Sequence, residues 1–182
     1  RRQRQMCIRD REKATLLPWQ AIGAIHNKEA SLNFKCHLAN GQPLTMKTTI
    51  EPKNLGPFNS WTDGAIAALK LKDFRLKQLK IDSLDDWTMA KIMFFCESYN
   101  GFGNRSRSID GKPLHSAYLW SSSNHYTRGG FVRDHVFDAN YVIKNPGIWA
   151  VVHTLLEKEN PNVVKMTWEE KADLNDLKGF HE

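Results

Sequence analysis

A chain of 182 residues with 41% hydrophobic residues, six Trp and nine Phe is long enough to bury its own core and too apolar to remain disordered. No apolar run approaches the roughly 18 residues that a membrane-spanning helix requires, so no membrane span is expected. The formal charge of +6 points toward an anionic partner, yet half of that excess sits in the first twelve residues, RRQRQMCIRDRE, where five Arg face one Asp and one Glu; without them the case for a nucleic-acid partner weakens.

This opening has no apolar periodicity and resembles translated sequencing-adapter sequence. Residues 1–12 are therefore expected to be non-native or disordered, with one domain over 13–158 and a C-terminal extension over 159–182 that is polar apart from VVKMTW. The opening also lacks the apolar stretch of a signal peptide. Cys7 lies in the opening, and Cys36 and Cys96 form no CxxC pair. A Cys36–Cys96 bridge and two buried thiols both fit the sequence, the thiols more simply.

Pro18 suits the first turn of a helix predicted over 18–31, because its missing N–H has no partner to lose there. Ile22, Ile25, His26 and Glu29 follow i, i+3, i+4, i+7 and share one face, so a carboxylate ends an otherwise core-facing stripe. Such a group, at the edge between core and cleft, is partly desolvated, which favours its protonated form and suits a general acid. A salt bridge with Lys28 is the plainer alternative.

From Asn33 to Phe58, Asn40-Gly41, Pro43, Pro52, Gly56 and Pro57 punctuate short polar and β-branched pieces, which predicts a loop with a small hairpin. A second helix is expected from Ser60–Thr62, fading at Phe74. The clearest helical stretch is SLDDWTMAKIMFFCESYNGFG, with Ser83 and Asp86 at capping-box spacing and Gly101 as a stop. Trp87, Ala90, Phe94 and Glu97 run down one side of it, so a carboxylate again closes an apolar stripe. Residues 102–140 show no helical pattern but carry HSAYLWSSSNHYTRGGF, a loop or short-strand region rich in aromatics and of a length more often functional than filler. A last helix is predicted in NPGIWAVVHTLLEK, capped by Asn145 with Pro146 in its first turn.

AIHNKEASLNFKCHLANGQPLT, CESYNGFG and SAYLWSSSNHYTRGGFVRDHVFD, in this order and spacing, resemble a family of lysozyme-like peptidoglycan hydrolases found in phage endolysins and bacterial genomes. The resemblance covers about residues 16–157. It implies an α+β, mostly α, lysozyme-like fold with a small β-hairpin region and a long aromatic loop. It further implies cleavage of the MurNAc–GlcNAc β-1,4 bond of bacterial cell wall, by hydrolysis or by lytic transglycosylation. Glu29 matches the catalytic glutamate and Glu97 the glutamate of the second motif. Tyr99, Asn100 and Gly101 resemble the Ala-Tyr-Asn segment that faces the sugar in lytic transglycosylases. Tyr118, Trp120, Asn124, His125 and Tyr126 offer flat faces and polar edges that suit a glycan, or else form an aromatic cluster beneath a loop.

Two departures matter. Ala30 stands where the family pattern has Ser, and Gln42 where it has Asp. Glycosidases of either stereochemistry use two carboxyls. Gln42 and Glu97 are the candidates for a second catalytic or water-positioning group, with Asp63 and Asp134 as further carboxylates. A transglycosylase needs only one acid/base. Zinc is not expected: His26 and Glu29 lie one turn apart, but no H-x-x-x-H partner exists, and no phosphate loop or dinucleotide fingerprint appears. The expected partner is thus peptidoglycan, bound by a monomer at the cell wall without metal or cofactor, and the rival reading is a non-catalytic wall-binding or phage-structural module.

Overall fold

The computed structural model describes residues 8–133 and 136–159. The protein is α+β and mostly helical, with seven α-helices and two small antiparallel strand pairs among these residues. It divides into two compact units, the first ending at Trp87 and the second beginning at Thr88. No described helix is long and apolar enough to cross a membrane.

In the first unit, α1 (Glu12–Thr15) leads into α2 (Trp19–Ala30). Every residue from Trp19 to His26 is buried, so α2 is a central helix enclosed on all sides rather than a striped surface helix. Residues 8–12, expected to lie outside the domain, are instead built into it. Ile8 is buried, Arg9 lies over the Trp19 ring at 4.6 Å, and Glu12 Oε1 accepts from the Trp19 N–H at 2.7 Å. That last bond satisfies one of the donors a helix start leaves open, in place of a cap from Pro18. Residues 1–7 lie outside the described part.

Helix α2 ends where Ser31 and Leu32 both adopt left-handed backbone, at φ 50° and 57°, with their N–H groups returned to Asn27 and His26 carbonyls. The segment from Asn33 to Phe58 forms no hairpin, only the isolated bridge Cys36–Pro43. Prolines remove ladder donors, and side chains hold the loop instead. Thr48 Oγ1 accepts from the Leu55 N–H at 2.9 Å, and His37 Nε2 meets the Met46 carbonyl at 2.9 Å. Buried Leu38 and Leu44 anchor the loop to the core. The single helix expected over 60–74 is two, α3 (Trp61–Lys70) and α4 (Asp73–Gln78). Ser60 caps the first, its hydroxyl accepting from the Asp63 N–H at 3.2 Å.

Ser83 and Asp86 do form the expected capping box, but it caps a 3-10 turn, Leu84–Asp86, that ends in extended Trp87. The long helix of the second unit, α5 (Met89–Asn100), starts later under its own cap, Thr88. It buries Ile92, Met93, Phe94, Phe95 and Cys96, and packs with α6 (Ala117–Trp120) and α7 (Ile148–Glu159). Helix α7 begins three residues after Asn145, because Gly147 donates its N–H to the Ser121 carbonyl at 2.8 Å before the helix starts. The 102–140 region carries short strands, one of its two expected forms, and a short helix that was not expected. It holds α6 and two hairpins, β1–β2 (Ser108–Ile109, Lys112–Pro113) and β3–β4 (Gly130–Arg133, Val136–Asp138). Cys36 and Cys96 are both free thiols, and burial pushes the Cys96 thiol pKa up.

Candidate functional site

The candidate residues fall on both units. In the first, Glu29 stands on the last turn of α2, half-buried, while the rest of the helix through His26 is enclosed. Its backbone carbonyl is closed over by the Asn40-Gly41-Gln42 turn. A Cβ at Gly41, where φ is +73°, would lie 2.5 Å from the Glu29 oxygen, so the turn reaches the helix end only because residue 41 is glycine. Lys28 shares this last turn. Burial lowers its ammonium pKa, an effect partly offset by the adjacent Glu29 carboxylate. A charge attraction between Lys28 and Glu29 therefore acts at this helix end.

Gln42 is a clasp. Its Oε1 accepts from the Thr49 N–H at 2.8 Å and the Ile50 N–H at 3.3 Å, and its Nε2 donates to Thr49 Oγ1 at 2.8 Å. Its own N–H is held by Asn40 Oδ1 at 3.2 Å. The amide thus ties the 40–42 turn to the 49–50 segment. Asp63 is occupied at the start of α3, where its Oδ2 accepts from the Ser60 hydroxyl at 2.7 Å. Asp134 lies outside the described residues.

Behind Glu29, His26 is fully buried against Phe34 and Trp61, with ring centroids at 4.8 and 4.6 Å. Its Nε2 accepts from the Trp61 indole N–H at 3.1 Å, which places the imidazole proton on Nδ1. The Asn33 carbonyl also lies 3.3 Å from Nε2. Burial dominates and lowers the His26 pKa to about 4, with the Asn33 carbonyl acting in the opposite sense. His26 is thus the hydrogen-bonded core histidine its place on the apolar face suggests. Among the described residues no group of three or more His, Cys, Asp and Glu gathers as a metal site would require.

In the second unit, Glu97 lies on the last turn of α5, and Arg105 grips its Oε2 through NH2 at 2.7 Å and Nε at 3.2 Å. The same guanidinium covers Phe102 at 4.1 Å and Phe94 at 5.3 Å. Tyr99 is half-buried, Asn100 is exposed at the helix end, and Gly101 leaves the helix at φ +99°. Trp120 and His125 are in edge contact at 5.0 Å, and Trp149, not singled out in the sequence, extends the group with centroids 6.3 Å from Trp120 and 4.6 Å from His153. Its i, i+4 spacing to His153 on the last helix is the signal that identifies this pair. Tyr118 is half-buried and Asn124 exposed.

Tyr126 is mostly structural: its hydroxyl accepts from the Ile143 N–H at 3.0 Å and lies 3.3 Å from the Gly129 and Tyr141 carbonyls. Its ring, with His125, lines a cleft of about 520 Å³ beside the β1–β2 hairpin. Comparison with family models, with curated proteins and with solved structures finds no match to the chain.

Proposed function

We propose that the chain is a lysozyme-like muramidase of peptidoglycan, in which Glu29 acts as general acid on the MurNAc–GlcNAc β-1,4 bond. The observation that carries this reading is the position of Glu29. It is a half-buried carboxyl on the last turn of an enclosed helix, with a glycine turn pressed on its carbonyl, within motifs whose order resembles that of cell-wall hydrolases. The step needs a carboxyl that still holds its proton.

Proton transfer from Glu29 to the glycosidic oxygen lets the C–O bond break and leaves an oxocarbenium-like sugar. Capture by water completes hydrolysis. Capture by that sugar's own C6 hydroxyl instead gives the anhydro end of lytic transglycosylation. The second route needs no further carboxylate, which agrees with an amide, Gln42, at the matching loop position. In the second unit, Asn100 and Asn124 are exposed amides and Tyr99, Tyr118 and Trp120 are half-buried rings, residue types that suit a glycan. A general acid contributes about 10² to 10⁴-fold in rate. Cell-wall zymography should therefore show clearing by the wild type that Glu29→Gln lowers by at least about a hundredfold; equal clearing by both sinks the proposal. Mass spectrometry of released fragments separates the two routes by their anhydro ends.

The rival, a wall-binding module without activity, draws on Gln42, whose amide is engaged by the Thr49 and Ile50 backbone and is no base. It predicts that wild type sediments with insoluble peptidoglycan and releases nothing.

A further inference from the structure

The cleft beside β1–β2 has features that glycan cleavage alone does not require. At about 520 Å³ it lies within the range of roughly 300 to 1,000 Å³ that small ligands occupy. One wall is the hairpin, whose two-residue turn, Asp110-Gly111, has φ of 53° and 73°, the conformation that fits a tight hairpin. The other is the segment 125–128.

Two devices hold the walls together. Arg128 donates to Asp110 Oδ2 at 2.5 Å and to Asn140 Oδ1 at 2.5 Å. Gly129, at φ +93°, lets the second wall close on the first: a Cβ there would come within 2.5 Å of Ile109 Cδ1 and 3.1 Å of Leu114 Cδ1. The cleft is thus preformed, with Ile109 and Leu114 as its apolar floor.

Its charge selects the ligand. Arg128 is neutralised by Asp110, whereas Lys112 makes no ion pair among the described residues, so one fixed positive charge remains. His115 and His125, with ring centroids 6.1 Å apart, add imidazole N–H donors. One lysine beside imidazole donors and an apolar floor matches a single carboxylate on a small organic body. A nucleotide, whose phosphates carry two or more charges, would call for more cations.

We infer that this cleft binds a short peptide through a free carboxylate, with Lys112 and the two imidazoles on the carboxylate and the apolar floor under the peptide. The inference rests on the muramidase reading for its natural source, the peptide branches that peptidoglycan carries. His125 and Tyr126, expected from sequence to face sugar, then face the peptide.

The test is amide-resonance mapping of the full chain with four soluble probes: the tripeptide Ala-γ-Glu-Lys with its Glu α-carboxyl amidated, so that its one carboxylate is C-terminal, the C-terminal amide of that tripeptide, a GlcNAc trimer and adenosine monophosphate. The acid should shift resonances of residues 109–115 and 125–128, and both the C-terminal amide probe and Lys112→Met should weaken it about tenfold, the worth of one charge-assisted bond. Lys112 is exposed, so its substitution leaves the fold intact. Equal binding of acid and amide, no effect of Lys112→Met, or tighter binding of the nucleotide or the sugar at these residues overturns the inference. Glu29→Gln should leave peptide binding unchanged. Wall clearing without peptide shifts refutes the cleft alone, whereas peptide shifts without wall clearing refute the muramidase reading alone.

Discussion

Acidification should destabilise the first unit through one residue, His26. The imidazole is fully buried, its Nε2 already accepts from Trp61, and burial lowers its pKa from 6.5 to about 4. Unfolded chain takes up the proton below about pH 6.5, whereas folded chain takes it up only below about pH 4. Between these limits the unfolded state binds more protons, so stability falls as pH falls and levels off below about pH 4. At about 1.4 kcal/mol for each pH unit the full loss is about 3 kcal/mol, and between about pH 7 and about pH 4.5 it is about 2 kcal/mol. Carboxylates titrate toward the acid end of the same window, so the wild-type profile alone does not isolate His26. Its contribution is the difference from His26→Gln, which keeps an acceptor for the indole N–H but takes up no proton. Denaturant unfolding of both proteins at the two pH values should show the variant less stable near neutrality and the gap closing by about 2 kcal/mol on acidification. Parallel profiles would refute the reasoning.

Three further outcomes follow from the site geometry. Gly41→Ala places a methyl 2.5 Å from the Glu29 carbonyl in left-handed backbone, so it should cost more than about 2 kcal/mol and reduce wall clearing together with stability; a thermal midpoint equal to wild type would show that the turn does not press on the helix end. Gln42→Glu keeps acceptors for the Thr49 and Ile50 N–H groups and accepts from the Thr49 hydroxyl, so calorimetry should find stability within about 1 kcal/mol of wild type, and an unfolded variant contradicts the clasp. Arg105→Leu strips Glu97 of its partner and should cost about 1 to 3 kcal/mol. Adding Glu97→Gln should recover part of that loss, and strictly additive effects in the double-mutant cycle would deny the pairing.

What was legible in the sequence is what periodicity and caps encode. Pro18 and the stripe through Ile22 and Ile25 place α2 within a residue of its observed Trp19–Ala30, because a 3.6-residue repeat over twelve residues admits few alternatives. Ser83 and Asp86 give a real capping box on the wrong element: a second cap, Thr88, stands five residues on, and local spacing does not reveal which of two adjacent caps starts the long helix. The four residues of α6 are too few for a helical repeat to show. The β1–β2 turn was readable in Asp110-Gly111, a strong hairpin signal that the surrounding aromatic residues obscured. The 33–58 segment was legible as a loop, but its internal arrangement was not, since it is held by Gln42, Thr48, His37 and Asn40 side chains on backbone groups several positions away, and such bonds leave no period. Glu29 stands on the last turn of α2, where the sequence placed it, but the helix is buried all round through His26 and carries no single apolar stripe for it to end. The clasp role of Gln42 and the cleft at Lys112 depend on three-dimensional closure and were not legible.

The grip of Arg105 on Glu97 also governs how that end of the second unit comes apart. The last turn of an α-helix carries the negative end of the backbone dipole, where a carboxylate is unwelcome and a cation is favoured. Glu97 on the last turn of α5 meets that field, and Arg105, reaching back from beyond Gly101, offsets it while covering Phe94 and Phe102. Lifting the 101–105 segment would leave a carboxylate against the dipole and two rings uncovered at once. The turn bearing Tyr99 and Asn100 and the segment that follows it therefore open as one unit, and their amides should exchange with solvent together.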